Sequence, residues 1–545
     1  MSVDHDTIID TPQHALPGAD DDRPDQAPEQ SRIRRSVTAI DDRTRSACAP
    51  MWADGRIGVA SATAVAAGWG LIVGWWTPRG PLTTGEALWS IAISLVIGGL
   101  AGVMSRSRWA MLSVPVAFAV VFELVRAGTD GPTVDGLVAS TYGATAFVVG
   151  RGFHALVSLL PMIFGVAIGA GTARRLQHTE DRPDGRRVGR YARRGVAILA
   201  TVGLAAFTIV LARPASTDPI VDAAGNVIPG SVAELTTIEV NGHDLAVMIR
   251  GQSVDNPVIL FLAGGPGGSE MGAMRRHLAE LEEHFTVVTW DERGAGKSYP
   301  ELDPTGTITL DGYIDDTTIV TDYLRDRFAQ DRIYILGQSW GTVLGVLAVQ
   351  QHPERYAAFV GTGQMVSPLA TDIIIYDDTL AWAQETGQTG LAADLVAIGA
   401  PPYERMLDYE TALTSEHDVY PYDHSTNSEG AGGFSENIFV GEYALIDQIH
   451  LLGGFMETFS VLYPQLQDID FRDTATDFEI PMFFVQGAHE AGGRTQLFED
   501  WYPTVDAPIR DLAVLDTSGH RPLFEQPDEF VDYMVDTVLA RTQGA

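Results

Sequence analysis

Five apolar stretches crowd into the first 213 residues of this 545-residue chain, at 57–76, 87–105, 109–124, 154–173 and 195–212. Most are long enough to cross a bilayer core at the helical rise per residue. Inside lipid the backbone must satisfy its own polar groups, so such stretches have to be helices. Only Glu123 intrudes as a charge, near one end. A soluble helix of this length would normally keep a polar face. The first stretch lies too far from the start to be a signal peptide, and further spans follow it. The chain is therefore expected to carry an all-α transmembrane region of about five helices over 57–213. Residues 1–56 are polar, with Pro, Asp and Arg and no apolar period, and are expected to be a disordered tail.

Arginine is spread unevenly around these stretches. Arg32, Arg34, Arg35, Arg43, Arg45 and Arg56 precede the first, Arg106 and Arg108 separate the second and third, and eight more lie between 174 and 194. The alternate connections hold only Arg79, then Arg126 and Arg151. The positive-inside tendency then places the tail in the cytoplasm and everything after residue 213 outside, in a multi-pass plasma-membrane protein. Residues 137–150 are apolar but short. A sixth crossing there would turn the Arg-richest connection outward, so the segment is expected to be re-entrant or interfacial. Gly165 and Gly169, four apart, suit close helix packing and with it self-association; the oligomeric state stays open.

Charge divides the chain at the same place. Residues 1–213 are nearly neutral, whereas 214–545 hold 53 Asp+Glu against 15 Lys+Arg. That excess disfavours nucleic acid and acidic substrates and favours cationic ligands, although solubility alone also accounts for it. Cys48 is the only cysteine, which excludes an intrachain disulfide and a cysteine metal site. No zinc-type histidine spacing occurs, and Gly296-Lys297-Ser298 lacks the glycine five residues upstream that a phosphate-binding Walker loop needs, since Asp291 stands there. No cofactor or metal is expected.

After a linker at 214–234, patterning alternates strands and helices. Residues 236–240 and 244–250 read as a hairpin around Asn241-Gly242, and 258–262, 285–290, 333–336 and 356–360 as strands. After a long interruption come strands at 480–485 and 512–515 and a closing helix at 525–539. Such alternation implies a mostly parallel sheet covered on both faces. Within this frame Gly337-Gln338-Ser339-Trp340-Gly341 follows a strand and opens a helix, the sharp turn that exposes a nucleophilic serine in α/β-hydrolases. Gly264-Gly265-Pro266-Gly267-Gly268, after the 258–262 strand, is placed to offer backbone N–H groups to an oxyanion. His520, in Ser518-Gly519-His520 after the last strand, is the expected general base. The acid belongs on the loop after the penultimate strand, where Glu490 stands; Asp372, one strand earlier, is the alternative. His489 is taken as a neighbour, and the charges of 291–298 as fixing a loop.

These motifs, in this order, resemble the proline iminopeptidase branch of the α/β-hydrolases over about residues 235–540. The resemblance implies a serine aminopeptidase that releases N-terminal residues from peptides. It implies Ser339, His520 and Glu490 as the triad, and the N–H groups of Gly265 and Trp340 as the oxyanion hole. The family usually has His where Ala263 stands and Asp where Glu490 stands. The insertion at 366–479 resembles the helical cap of such enzymes, in which carboxylates bind the substrate's free ammonium; Glu436 and Glu442 are its candidates here. Two other readings remain: a carboxylesterase or lipase-like hydrolase of small acyl esters, and a non-catalytic membrane sensor or binding module.

Overall fold

The computed structural model describes residues 43–44, 46–107, 109–176, 187–420 and 435–543. Residues 1–42 of the tail, Arg45, Arg108, most of the Arg-rich connection after residue 176 and cap residues 421–434 lie outside the described residues, whereas 46–53, expected to be part of a disordered tail, are helical.

Among the described residues, four helices have the length and composition to cross a membrane: Gly55–Trp76, Thr84–Ser105, Thr141–Leu176 and Arg194–Leu211. Ala110–Val125 is as apolar but shorter, at 16 residues. The expected re-entrant piece at 137–150 is not a separate element. From Thr141 it is the start of the third of these long helices, which runs on through two π-helical turns to Leu176. Ser140 begins it by accepting from Gly143 N–H at 3.0 Å. Arg151, which ends the apolar run in the sequence, does not end the helix. Its guanidinium donates to the Val134 and Asp135 carbonyls at 2.7 Å and pairs with Glu123 at 3.3 Å.

Glycines bring the Thr84–Ser105 and Thr141–Leu176 helices into backbone contact. A Cβ on Gly165 would stand 2.2 Å from the Leu95 carbonyl oxygen, and one on Gly169 2.0 Å from that of Gly99. The pair that suggested self-association is thus consumed within the chain.

The second half is one twisted sheet in the order β1-β2-β4-β3-β5-β6-β7-β8 among the described residues. Strands β1 (Val232–Val240) and β2 (His243–Gly251) form the hairpin, turned at Asn241 and Gly242, both with positive φ. β2 pairs antiparallel with β4 (Thr286–Trp290). All remaining pairings, through β3 (Val258–Leu262), β5 (Ile333–Gln338), β6 (Tyr356–Thr362), β7 (Met482–Gly487) and β8 (Arg510–Leu515), are parallel. The central strands β3, β4, β5 and β7 are buried along their whole length, as their unbroken apolar runs require. Two apolar layers, one on each face, close the core.

The two halves dock through the arginine-poor connections. Arg79 pairs with Glu457 at 2.7 Å and Asp303 at 3.0 Å, and Thr133 N–H donates to Glu457 at 2.8 Å. The Pro81 carbonyl meets His450 Nε2 at 2.9 Å. At the opposite ends of the helices, Arg106 donates to the Trp52 carbonyl at 2.6 Å. The 214–234 segment lies against the hydrolase: Ser216 N–H donates to the Gly441 carbonyl at 2.8 Å, and Arg250 donates to the Asp218 carbonyl at 2.6 Å.

Candidate active site

Ser339 sits between β5 and the Trp340–Gln351 helix with φ 53° and ψ −117°, a backbone conformation that side chains with a Cβ rarely adopt. Such strain costs on the order of 1–3 kcal/mol and is held by surrounding packing. Two glycines make the turn possible. A Cβ on Gly337 would lie 2.5 Å from the Gly341 carbonyl oxygen, and one on Gly341 2.1 Å from that of Leu262. The turn therefore presses the helix start against β3 and turns Oγ outward.

His520 Nε2 lies 2.8 Å from Ser339 Oγ, and its Nδ1 lies 2.7 Å from Glu490 Oε2. The three groups come from the ends of three parallel strands, β5, β7 and β8. Gly363, with φ 55°, makes room beneath the imidazole: a Cβ there would meet the His520 carbonyl oxygen at 2.4 Å. Glu490 is almost wholly buried. Burial pushes its carboxyl up, but Arg494 and His520 more than offset this and hold it well below the usual carboxylate range. Arg494 Nε donates to Glu490 Oε1 at 2.8 Å, and its other arm pairs with Glu416 of the cap. Sequence reasoning missed Arg494. Its place one helical turn after Glu490 was the available signal.

Asp372, the alternative acid, is not part of this relay. It sits on the cap helix Pro368–Glu385 and accepts from Tyr463 Oη at 2.8 Å. Its Oδ2 is buried and has no hydrogen-bond partner. Burial raises its carboxyl to about 7, against the smaller opposing effects of Tyr463 and Arg494. His489 meets the Asp516 carbonyl at 3.0 Å and takes no part in the relay.

Gly264 and Gly265 line the cavity beside Ser339, and the Trp340 amide is the first of its helix, where N–H groups lack intrahelical acceptors. The charges of 291–298 brace this corner. Glu292 accepts from Trp340 Nε1 at 2.9 Å, while Asp291 accepts from Lys297 N–H at 2.8 Å and Tyr443 Oη at 3.0 Å. Burial raises Asp291 to about 7 and Glu292 to about 8.

The structure corrects the two cap carboxylates expected to meet a substrate amine. Glu436 Oε2 lies 2.5 Å from His277 Nε2, and Glu442 pairs with Arg275. Both face the basic end of the Met271–His277 helix, and neither lines the cavity over Ser339. The carboxylates that do line it are Glu270, Asp372, Glu416 and Glu490. Glu270 pairs with Arg521 and Glu416 with Arg494, and of the four only Asp372 keeps a buried oxygen without a hydrogen-bond partner. The cavity holds about 420 Å³ and is otherwise largely aromatic and apolar, with Tyr403, Tyr409, Phe455, Phe459 and Tyr463 in its walls.

Residues 257–399 match the alpha/beta hydrolase fold family. A probable aminopeptidase, YbaC, of Bacillus subtilis (strain 168) is 26% identical over 305 residues, which is 55% of this chain and 95% of that protein. The proline iminopeptidase of Xylella fastidiosa (strain Temecula1 / ATCC 700964) is 30% identical over 185 residues, 33% of this chain and 54% of that one. Among solved structures, a proline iminopeptidase-related protein of Thermus thermophilus superposes with a TM-score of 0.42 at 19% identity, covering 57% of this chain and 98% of that chain. The parallel sheet, the turn at Ser339 and these relatives make the second half of the chain an α/β-hydrolase that resembles the proline iminopeptidases.

Proposed function

We propose that this hydrolase is a membrane-anchored serine aminopeptidase of the proline iminopeptidase type, working on the outer face of the membrane. The relay Ser339–His520–Glu490, with both contacts under 3 Å, carries the reading. His520 Nε2 takes the Ser339 proton as Oγ attacks the scissile carbonyl, and the N–H groups of Gly265 and Trp340 receive the oxyanion. The tetrahedral species collapses as the imidazolium returns that proton to the leaving amine, which departs as the shortened peptide. A water then gives its proton to His520, attacks the acyl ester on Ser339, and the released amino acid leaves with Oγ reprotonated. Glu490 stays ionised throughout and stabilises the imidazolium.

Asp372 supports the preference for a free N-terminus. Asp372 lines the same cavity as Ser339 and keeps a buried oxygen without a partner, so an ammonium bound beside it would meet a counter-charge out of water. The outward placement is supported by the docking of the hydrolase on the arginine-poor connections, combined with the positive-inside tendency.

The test is turnover by the full-length chain in detergent, beside Ser339→Ala, of aminoacyl amides led by proline, their N-acylated forms and short acyl esters. Turnover that needs both Ser339 and the free amine establishes the aminopeptidase. Turnover of esters alone makes the protein a carboxylesterase. No turnover and no acylation of Ser339 by a fluorophosphonate overturns both.

A further inference from the structure

The Thr141–Leu176 helix is longer than a bilayer needs. Its 36 residues span about 54 Å at the helical rise, against ~30 Å of hydrocarbon. The surplus stands at its N-terminal end, on the hydrolase side, and does not hang free. Ala146 is fully buried in the hydrolase core. Tyr142 N–H donates to Glu410 Oε1 at 3.0 Å. Thr133, just before the helix, is tied to Glu457 through N–H and Oγ1, and a Cβ on Gly150 would lie 2.4 Å from the Thr133 carbonyl oxygen. Two buried cap carboxylates thus clamp this extension against the cap helices Met406–Leu413 and Leu445–Leu462.

The clamp has a consequence for the cavity. Half-buried Tyr142 lines the same space as Ser339 and His520, and Tyr409, next to Glu410 in the chain, lines it too. One residue of the pocket lining, Tyr142, therefore comes from the long N-terminal helix rather than from the hydrolase. We propose that Tyr142 is a substrate-contacting, specificity-determining residue, and that the membrane region completes the substrate pocket as well as anchoring the enzyme. Tyr142 closes the pocket beside an aromatic wall, so its occupant is the apolar side chain of the substrate's acyl residue. Glu410 is the positioning residue, holding the first turn of the helix in register with the cap. The proposal rests on Ser339 being the nucleophile but not on the substrate being a peptide.

The test uses the full-length chain in detergent and a series of substrates graded by the size of their apolar acyl residue, amides or esters, whichever Ser339 turns over. Tyr142→Ala should raise KM at least tenfold for the preferred substrate, change kcat less than threefold, and shift preference toward larger residues. Tyr142→Trp should narrow the pocket and penalise the largest residues first. Glu410→Ala should weaken the same discrimination, while Leu137→Ala, exposed nearby, leaves KM and preference at parental values. Melting temperature identifies any variant that has unfolded, and Tyr142→Trp then decides alone. An unchanged order of preference in folded Tyr142→Ala or Tyr142→Trp overturns the proposal. Ester-only turnover by the parent would sink the peptidase reading yet still read out Tyr142. A parent that neither turns over nor acylates at Ser339 removes the premise, and the proposal falls with it.

Discussion

Arg79 reaches Glu457 across 2.7 Å, joining the connection between the first two long apolar helices to the cap helix Leu445–Leu462, with both side chains almost out of water. Removing one partner of such a pair leaves a buried charge unpaired, which costs on the order of 3–5 kcal/mol. Arg79→Ala should therefore lower the melting temperature in detergent sharply. Arg79→Met with Glu457→Leu should recover much of the loss, because an apolar pair avoids the desolvation cost. A single variant as stable as the parent would show that the two halves do not depend on this junction.

Arg494 sets the charge of Glu490. Because the folded carboxyl is held below its unfolded value, its contribution to stability is present above about pH 4.5 and is lost only as pH falls far below that. Glu490 should thus remain ionised throughout the working range of the enzyme. In Arg494→Met, burial and hydrogen bonding to His520 remain while the guanidinium is gone. The acid limb of kcat/KM should then move to higher pH, and Glu490→Gln should cut kcat by about 10³–10⁴-fold. An unmoved limb in Arg494→Met would assign the guanidinium a packing role alone.

Asp372 titrates in the opposite sense. Its carboxyl is raised to about 7, so the associated stability is complete below the unfolded value near 4 and is lost as pH rises through 7. Asp372→Asn should melt higher than the parent at pH 8, an advantage that shrinks toward pH 4. The same substitution should raise KM more than tenfold for free-amine substrates and leave N-acylated ones nearly unchanged. Equal effects on both classes would remove Asp372 from amine recognition.

The strands and the Ser339–His520–Glu490 set were legible because each depends on local pattern: an apolar run, a glycine-flanked serine, a histidine after the last strand. Strand β3 runs over the expected 258–262, and β8 differs only by starting two residues earlier. Errors arose where partners far apart in sequence decide the outcome. Glu436 and Glu442 are as acidic and as well placed in the chain as Asp372, but only folding reveals that His277 and Arg275 meet them. Arg151 looked like the end of an apolar run because Glu123, 28 residues earlier, had no visible connection to it. The contact of Tyr142 with Glu410 was hidden for the same reason, since the two lie 268 residues apart.

Sidedness can be read with a single thiol. Cys48 is the only cysteine in the chain, so Cys48→Ser leaves a background without thiols. Phe439 is 88% exposed on the hydrolase, close to where Gly441 meets the segment leaving the last long apolar helix. Ala53 is exposed just before the first long apolar helix, at the end where Arg106 contacts Trp52. The two positions lie at opposite ends of the helical bundle, so an odd number of crossings puts them on opposite sides of the bilayer. With arginine-rich connections inside, a membrane-impermeant maleimide should label Phe439→Cys in intact cells and Ala53→Cys only after permeabilisation. The reverse pattern would put the hydrolase in the cytoplasm, and labelling of both in intact cells would mean that the helices do not span.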